Sequence, residues 1–293
     1  KLIRCRILSW RNRMKRTRPS LLSNKVALIT GAGSGIGRVI AEVLAKAGAT
    51  VIISDIQKDV GQSVAERICK QGMKAFFIPC DLSKEEEIRT LIQQSIKKCR
   101  RLDIVVNNAR PKLDLVSFED SFKDWDLGID VLLKAPALVL KYAMPFLIKT
   151  KNAKVVNVAS TNAFLVSHQP LVYHVAKAGL IQLNRYIAFQ FGHLGVRANV
   201  VCPGLVDLSD GRNPLTSNKM NKKIVELIVP LQRAASPHEV ADVVLSLCLD
   251  SSSYVTGSVI NVDGGVTLGD HFHIARKAFL GSNSFGAGKE GQQ

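Results

Sequence analysis

Seven short apolar runs recur along the chain: Lys25–Thr30 (KVALIT), Thr50–Asp55 (TVIISD), Lys74–Pro79 (KAFFIP), Leu102–Asn108 (LDIVVNN), Ala153–Ser160 (AKVVNVAS), Val196–Pro203 (VRANVVCP) and Ser258–Gly265 (SVINVDGG). They largely lack polar alternation, as strands buried on both faces do. Between them lie amphipathic stretches with the helical period. IGRVIAEVLAKAGA carries Gly48 at its end, a residue suited to close a helix. Ser83 and Glu86 stand at capping-box spacing at the start of SKEEEIRTLIQQSIKK. Ser236 followed by Pro237 opens SPHEVADVVLSLC, with proline at a helix-start position. Strands alternating with helices predict an α/β fold, a single-domain doubly wound parallel sheet with helices on both faces. The predicted domain covers 23–268. A basic leader over 1–22 precedes it, and a tail over 269–293 follows; both are expected to be flexible.

Composition supports one sizeable core: 293 residues, 46% hydrophobic and 22% charged. Charge changes the picture at one end. The net charge is +16, and the first twenty residues hold eight Lys or Arg and no acid. That leader has three readings: a disordered basic arm, an Arg-rich mitochondrial-type presequence, or an anchor on anionic lipid through Leu2, Ile3, Ile7, Leu8 and Trp10. The expected location is cytoplasmic, with mitochondrial or peripheral-membrane placement as the alternatives. No apolar run approaches the roughly 20 residues of a membrane span. No basic stretch is interleaved with stacking aromatics, so nucleic acid is not an expected partner. Cys5, Cys69, Cys80, Cys99, Cys202 and Cys248 are widely spaced and read as thiols, mostly in the core. No Cys/His cluster has zinc spacing, so no metal is expected, and His271 and His273 read as part of a solvated tail.

The first chemical signal is TGAGSGIG, Thr30 to Gly37, between the first strand and the first helix. Glycines there let the backbone turn tightly and approach a ligand. The helix N-terminus offers free N–H groups to a pyrophosphate. Gly31, Gly35 and Gly37 fit T-G-x-x-x-G-x-G; the G-x-G-x-x-G spacing fails at Ile36. Asp55 ends the second strand, about twenty residues on, where a carboxylate accepts hydrogen bonds from adenosine ribose and repels a 2′-phosphate. This favours NAD over NADP. Asp81, after the third strand, is placed to touch the adenine edge or to serve as a helix-start acid.

The second signal is YHVAK, Tyr173 to Lys177. Residues four apart share a helix face. A free tyrosine holds its proton to about pH 10, and a nearby cation favours the phenolate.

With these motifs in order, the chain resembles the short-chain dehydrogenase/reductase family from about Lys25 to Leu268. TGAGSGIG, Asp55, CDLS with Asp81, NNA at Asn107–Ala109, Ser160, YHVAK, CPG at Cys202–Gly204 and YVTGSVINVDGG carry the likeness. In that family a serine stands thirteen residues before the tyrosine, as Ser160 stands before Tyr173. The resemblance implies a Rossmann-like NAD(P)-binding oxidoreductase with Ser160, Tyr173 and Lys177 catalytic. Tyr173 would act as general acid or base, Ser160 would bond the substrate oxygen, and Lys177 would also hold the nicotinamide ribose. The implied cofactor site is the loop of Gly31, Ser34, Gly35, Ile36 and Gly37 together with Asp55, Tyr173 and Lys177. Asp81, Leu82 and Asn108 would line it, and Pro203, Gly204 and Val206 would shape its nicotinamide end. A homodimer or homotetramer is also implied.

Three positions depart from the family pattern. Arg110, followed by Pro111, replaces the glycine of NNAG. Leu132 stands where many members have an asparagine that helps hold a water behind the lysine. Leu208 replaces the threonine of PGxxxT, with Ser209 beside it. The leading expectation is an NAD(H)-dependent enzyme interconverting a secondary alcohol and a ketone. The alternatives are a 3-oxoacyl-thioester reductase and a catalytically weak dinucleotide-binding scaffold or sensor. The segment Leu205–Leu227 is the expected substrate loop. Its Arg212, Lys219, Lys222 and Lys223 either draw in an anionic substrate or solvate a lid. His168 and His174 flank the catalytic segment, with surface or packing roles expected.

Overall fold

The computed structural model describes residues 20–114, 118, 122–208 and 218–280. The seven runs form seven strands: β1 (Val26–Thr30), β2 (Thr50–Asp55), β3 (Ala75–Pro79), β4 (Ile104–Asn107), β5 (Ala153–Val158), β6 (Val196–Pro203) and β7 (Val259–Val262). They pair in the order β3-β2-β1-β4-β5-β6-β7, each pair parallel. β1, β4, β5 and β6 are buried along their whole length. Their unbroken apolar character follows from helices covering both faces.

One face carries α1 (Gly35–Lys46), α2 (Lys58–Lys70) and α8 (Pro237–Cys248) over a core containing Ile40, Leu44, Ile68 and Val244. The other carries α3 (Glu85–Cys99), α5 (Ala135–Leu147) and α6 (Leu171–Phe191) over Leu91, Ile92, Leu140 and Leu147. A short helix α4 (Trp125–Ile129) runs into α5 through a π-helical turn, Asp130–Lys134. The remaining helices are α7 (Lys219–Ile228) and α9 (His271–Leu280).

Two helix ends differ from the sequence reading. Ser83 forms no capping box. Helix α3 starts two residues later, at Glu85, and the Ser83 hydroxyl donates to Asp81 at 2.7 Å. At Ser236 the box does form: its hydroxyl accepts from the Glu239 N–H while the Glu239 carboxylate accepts from the Ser236 N–H. Gly48 follows the end of α1 with φ +99°. A Cβ there would lie 2.0 Å from the Ser20 hydroxyl.

The expected tail from 269 begins instead with helix α9. Phe272, Ile274, Ala275, Ala278 and Phe279 recur at helical spacing, and α9 packs on α7. Residues 281–293 and residues 1–19 of the leader fall outside the described residues. The leader's last three residues are described, and Leu22 is not flexible chain but buried in the core, with its N–H donating to the Ala47 carbonyl at 2.7 Å. Of the described cysteines, Cys80, Cys202 and Cys248 are buried, whereas Cys69 is exposed and Cys99 half-buried. No helix among the described residues is long and apolar enough to cross a membrane.

Candidate functional site

The site forms at the carboxyl ends of β1, β4 and β5, where the strand order reverses between β1 and β4. In open α/β sheets that crevice is where ligands bind. The glycine loop leaves β1 with Gly31 at φ +62° and Gly35 at φ +53°. Close approach constrains it further. A Cβ on Gly37 would lie 2.2 Å from the Gly31 carbonyl oxygen and 2.3 Å from Asn108 Nδ2, and one on Gly31 would meet the Ala109 Cα at 2.6 Å. Asn108 holds this junction. Its Nδ2 donates to the carbonyls of Thr30 (3.0 Å) and Gly31 (3.1 Å), and its N–H donates to Thr30 Oγ1 (3.0 Å). Ser34 is the N-cap of α1, yet its side chain makes no capping bond there. Ile36 packs down on the core.

Asp55 reaches the same loop. Its Oδ2 accepts from the Gly33 N–H at 2.9 Å and its Oδ1 from the Gln57 N–H at 3.0 Å. A carboxylate keeps lone pairs beyond these two bonds. Asp81 is more committed. Oδ1 accepts from Ser83, Oδ2 faces Lys84 Nζ at 3.2 Å, and its N–H donates to Glu87. Partial burial pushes its pKa up, but the bonds from Ser83 and Lys84 outweigh this and hold it below the usual carboxylate range. These bonds tie Asp81 to the segment that leads into α3. Leu82, next to it, packs on the core and borders a small cavity.

Ser160 follows β5, buried, with its hydroxyl accepting from the Asn162 N–H at 3.2 Å. Tyr173 and Lys177 lie one turn apart on α6, both buried, with Lys177 Nζ 5.7 Å from the Tyr173 ring centroid. Lys177 donates to the Val158 carbonyl at 2.6 Å. Burial pushes the lysine pKa down to about 7; the Arg110 guanidinium acts in the same direction and Cys202 opposes it. On the far side, Gly204 approaches Asp263 so closely that a Cβ would lie 2.9 Å from its Cα. Pro203 ends β6, and Val206 forms an isolated bridge with Ala235. Leu208 lies over the glycine loop, 3.7 Å from where a Cβ on Gly35 would be. Ser209 and Arg212 fall outside the described residues.

Three sets of contacts go beyond what the sequence pattern gives. A buried amide ladder runs from Asn107 Nδ2 to Asn157 Oδ1 (2.8 Å), from Asn157 Nδ2 to Asn184 Oδ1 (3.0 Å), and from Asn184 Nδ2 to the Ala198 carbonyl (3.2 Å). It pins α6 to β4, β5 and β6 and so sets the height of Tyr173 and Lys177 above the sheet. The only local signal was asparagine inside apolar strands. Leu132 lies in the π turn, buried against Val172, Tyr173 and Ala176. Beside it a cavity of about 10 Å³, bordered by Lys177, Asn107 and Thr30, is on the scale of one water. Arg110 turns its guanidinium over the Tyr173 ring, 4.7 Å from the centroid, and bonds Gln169 Oε1 at 2.7 Å. His174 has a packing role: it accepts from the Ser167 N–H and bonds the Pro170 carbonyl. His168 is exposed.

The residues fit a dinucleotide. The loop is a cradle that Cβ atoms would fill, at a helix N-terminus with a carboxylate beside it. Among the described residues no group of three or more His, Cys, Asp or Glu is placed to hold a metal.

Comparisons with known proteins agree with this geometry. A family model described as Enoyl-(Acyl carrier protein) reductase matches residues 31–267. The chain is 37% identical over 246 residues to 3-oxoacyl-[acyl-carrier-protein] reductase FabG of Aquifex aeolicus, covering 84% of this chain and 98% of that one. It is 34% identical to the protein of the same name from Thermotoga maritima, covering 84% and 99%. A solved structure described as a putative short-chain alcohol dehydrogenase from Sinorhizobium meliloti superposes with TM-score 0.80 at 25% identity, covering 86% of this chain and 100% of that one. The structure titled gox2181 superposes with TM-score 0.79 at 27% identity, covering 85% and 97%.

Lys177 yields a pH test. Its pKa in the folded chain lies below the ordinary 10.5. Between about pH 7 and 10.5 the unfolded chain therefore binds more protons, and stability rises with pH by up to about 1.4 kcal/mol per pH unit from this group. Urea unfolding of the ligand-free protein at pH 7.5 and 9.5 should show this rise, and Lys177→Met should lack that share of it. Equal slopes in both proteins would mean that the amine is solvated.

Proposed function

The chain belongs to the short-chain dehydrogenase/reductase family, oxidoreductases acting on CH–OH with a nicotinamide dinucleotide, and on that footing we propose that it interconverts a secondary alcohol and a ketone with Tyr173 as general acid and base. The observation that carries this reading is Tyr173 and Lys177 on one turn of α6, with Ser160 following β5 and the glycine loop following β1 at the carboxyl end of the same sheet. When bound, the dinucleotide supplies or accepts the hydride. In reduction the Tyr173 hydroxyl gives its proton to the carbonyl oxygen, and the Ser160 hydroxyl bonds that oxygen as charge develops on it. The carbonyl carbon gains the hydride and its oxygen gains the proton; oxidation reverses both transfers. Lys177 lies behind the phenol, and the one-water cavity beside it offers the proton a path out. The Leu132 side chain at its wall offers that water no hydrogen bond, whereas Lys177, Asn107 and Thr30 on the same wall carry polar groups.

Asp55 is the reason to favour NAD over NADP: a carboxylate at the end of β2, bonded to the glycine loop, would repel a 2′-phosphate. A second reading, reduction of a 3-oxoacyl thioester, is favoured by the names of the relatives above. Val175, Tyr186 and Phe189, exposed on α6, favour self-association as a dimer or tetramer.

Two measurements test this reading. With NADH and a panel of ketones and 3-oxoacyl thioesters, Tyr173→Phe should lower kcat by about 100-fold or more while leaving NADH binding intact. Unchanged turnover would remove Tyr173 from the chemistry. Wild type should also prefer NADH to NADPH in kcat/KM, and Asp55→Ser should narrow the gap. A wild-type preference for NADPH would overturn the assignment of Asp55.

A further inference from the structure

Arg110 is a cation that faces no carboxylate among the described residues. Arg67, Arg89, Arg101 and Arg233 each hold a carboxylate. Arg110 is held instead by a neutral amide and the face of an aromatic ring, and no carboxylate among the described residues pairs with it. A guanidinium has five N–H donors in a planar fork that matches a carboxylate, and the bond to Gln169 uses one. Its position is constrained. Pro111 restricts the Arg110 backbone to extended conformations. The bond to Gln169 joins the loop after β4 to the loop before α6, across the mouth of the crevice. The guanidinium remains exposed, so an incoming anion can reach it.

Resting on the oxidoreductase reading, we propose that Arg110 is a specificity-determining residue that selects oxo acids and hydroxy acids, gripping the substrate carboxylate while Tyr173 and Ser160 hold the reacting oxygen. The guanidinium lies against the ring whose hydroxyl would meet that oxygen, so only a few carbon atoms separate the two groups bound. Short free acids fit this spacing. In a 3-oxoacyl thioester the corresponding carbonyl is neutral, so Arg110 separates this chain from a carrier-bound substrate. The basic residues of α7 are not needed: Lys222 already faces Glu226, and neither Lys219 nor Lys223 is among the contacts of Arg110.

The test pairs a 3-oxo acid such as acetoacetate with its neutral methyl ester, using the full chain and NADH. Wild type should prefer the acid. Arg110→Gln should lower kcat/KM for the acid about 10- to 100-fold, mainly through KM, and change the ester no more than about 3-fold. Arg110→Lys should restore part of the loss. Equal effects on acid and ester, a wild-type preference for the ester, or an effect confined to the KM for NADH would overturn the proposal. If neither compound turns over, calorimetric titration of malonate into the protein–NADH complex decides. Binding that Arg110→Gln abolishes would uphold the carboxylate site while the oxidoreductase reading fails. Absence of binding, or binding indifferent to Arg110, would overturn the proposal.

Discussion

The site depends on a contact between backbones that leaves no room for a side chain. Gly37, in the first turn of α1, lies against the Gly31 carbonyl and the Asn108 amide so closely that one added carbon would collide with both. Because it fits, Asn108 can bond the Thr30 and Gly31 carbonyls and tie the end of β4 to the end of β1. The strand order reverses at this junction, and the crevice opens there. Asp55 closes the outer side by bonding Gly33. The cradle is therefore made by exclusion: the glycines let three chain segments meet and leave N–H groups facing outward.

Height above the sheet is set separately. The Asn107–Asn157–Asn184 ladder places amides in an interior where an unpaired polar group would cost about 1–3 kcal/mol, and each finds a partner. The result fixes the register of α6 on β4, β5 and β6. Lys177 is buried as a consequence, with its amine on the Val158 carbonyl. Desolvation weakens its hold on a proton, which suits a group that would border a proton path. Leu132 leaves that surrounding mostly apolar, and the π turn carrying it sits beside the one-water cavity.

Much of this was legible in the sequence because it is written in local patterns. Unbroken apolar runs gave the seven strands within a few residues, and Ser236-Pro237 gave the start of α8. Glycine spacing placed the loop, because a left-handed backbone and close approach at Gly31, and close approach at Gly37, each demand glycine. The capping box expected at Ser83 does not form because the helix starts two residues later, at Glu85, with Lys84 rather than Ser83 at the N-cap. The tail was misread because glycines after 280 masked a short helical period before it. Arg110 was visible only as a departure from a pattern. That its side chain turns onto Tyr173 depends on contacts between residues about sixty positions apart, which no local pattern encodes.

The measurement closest to the central claim is the dissociation constant for NADH by fluorescence titration, comparing wild type with Gly37→Ala and checking by circular dichroism that the variant is folded. The account predicts saturable binding by wild type and at least a tenfold loss in folded Gly37→Ala, since the Cβ must displace Asn108 or the Gly31 carbonyl (about 1.4 kcal/mol per factor of ten). Folded Gly37→Ala binding NADH as tightly as wild type would contradict it.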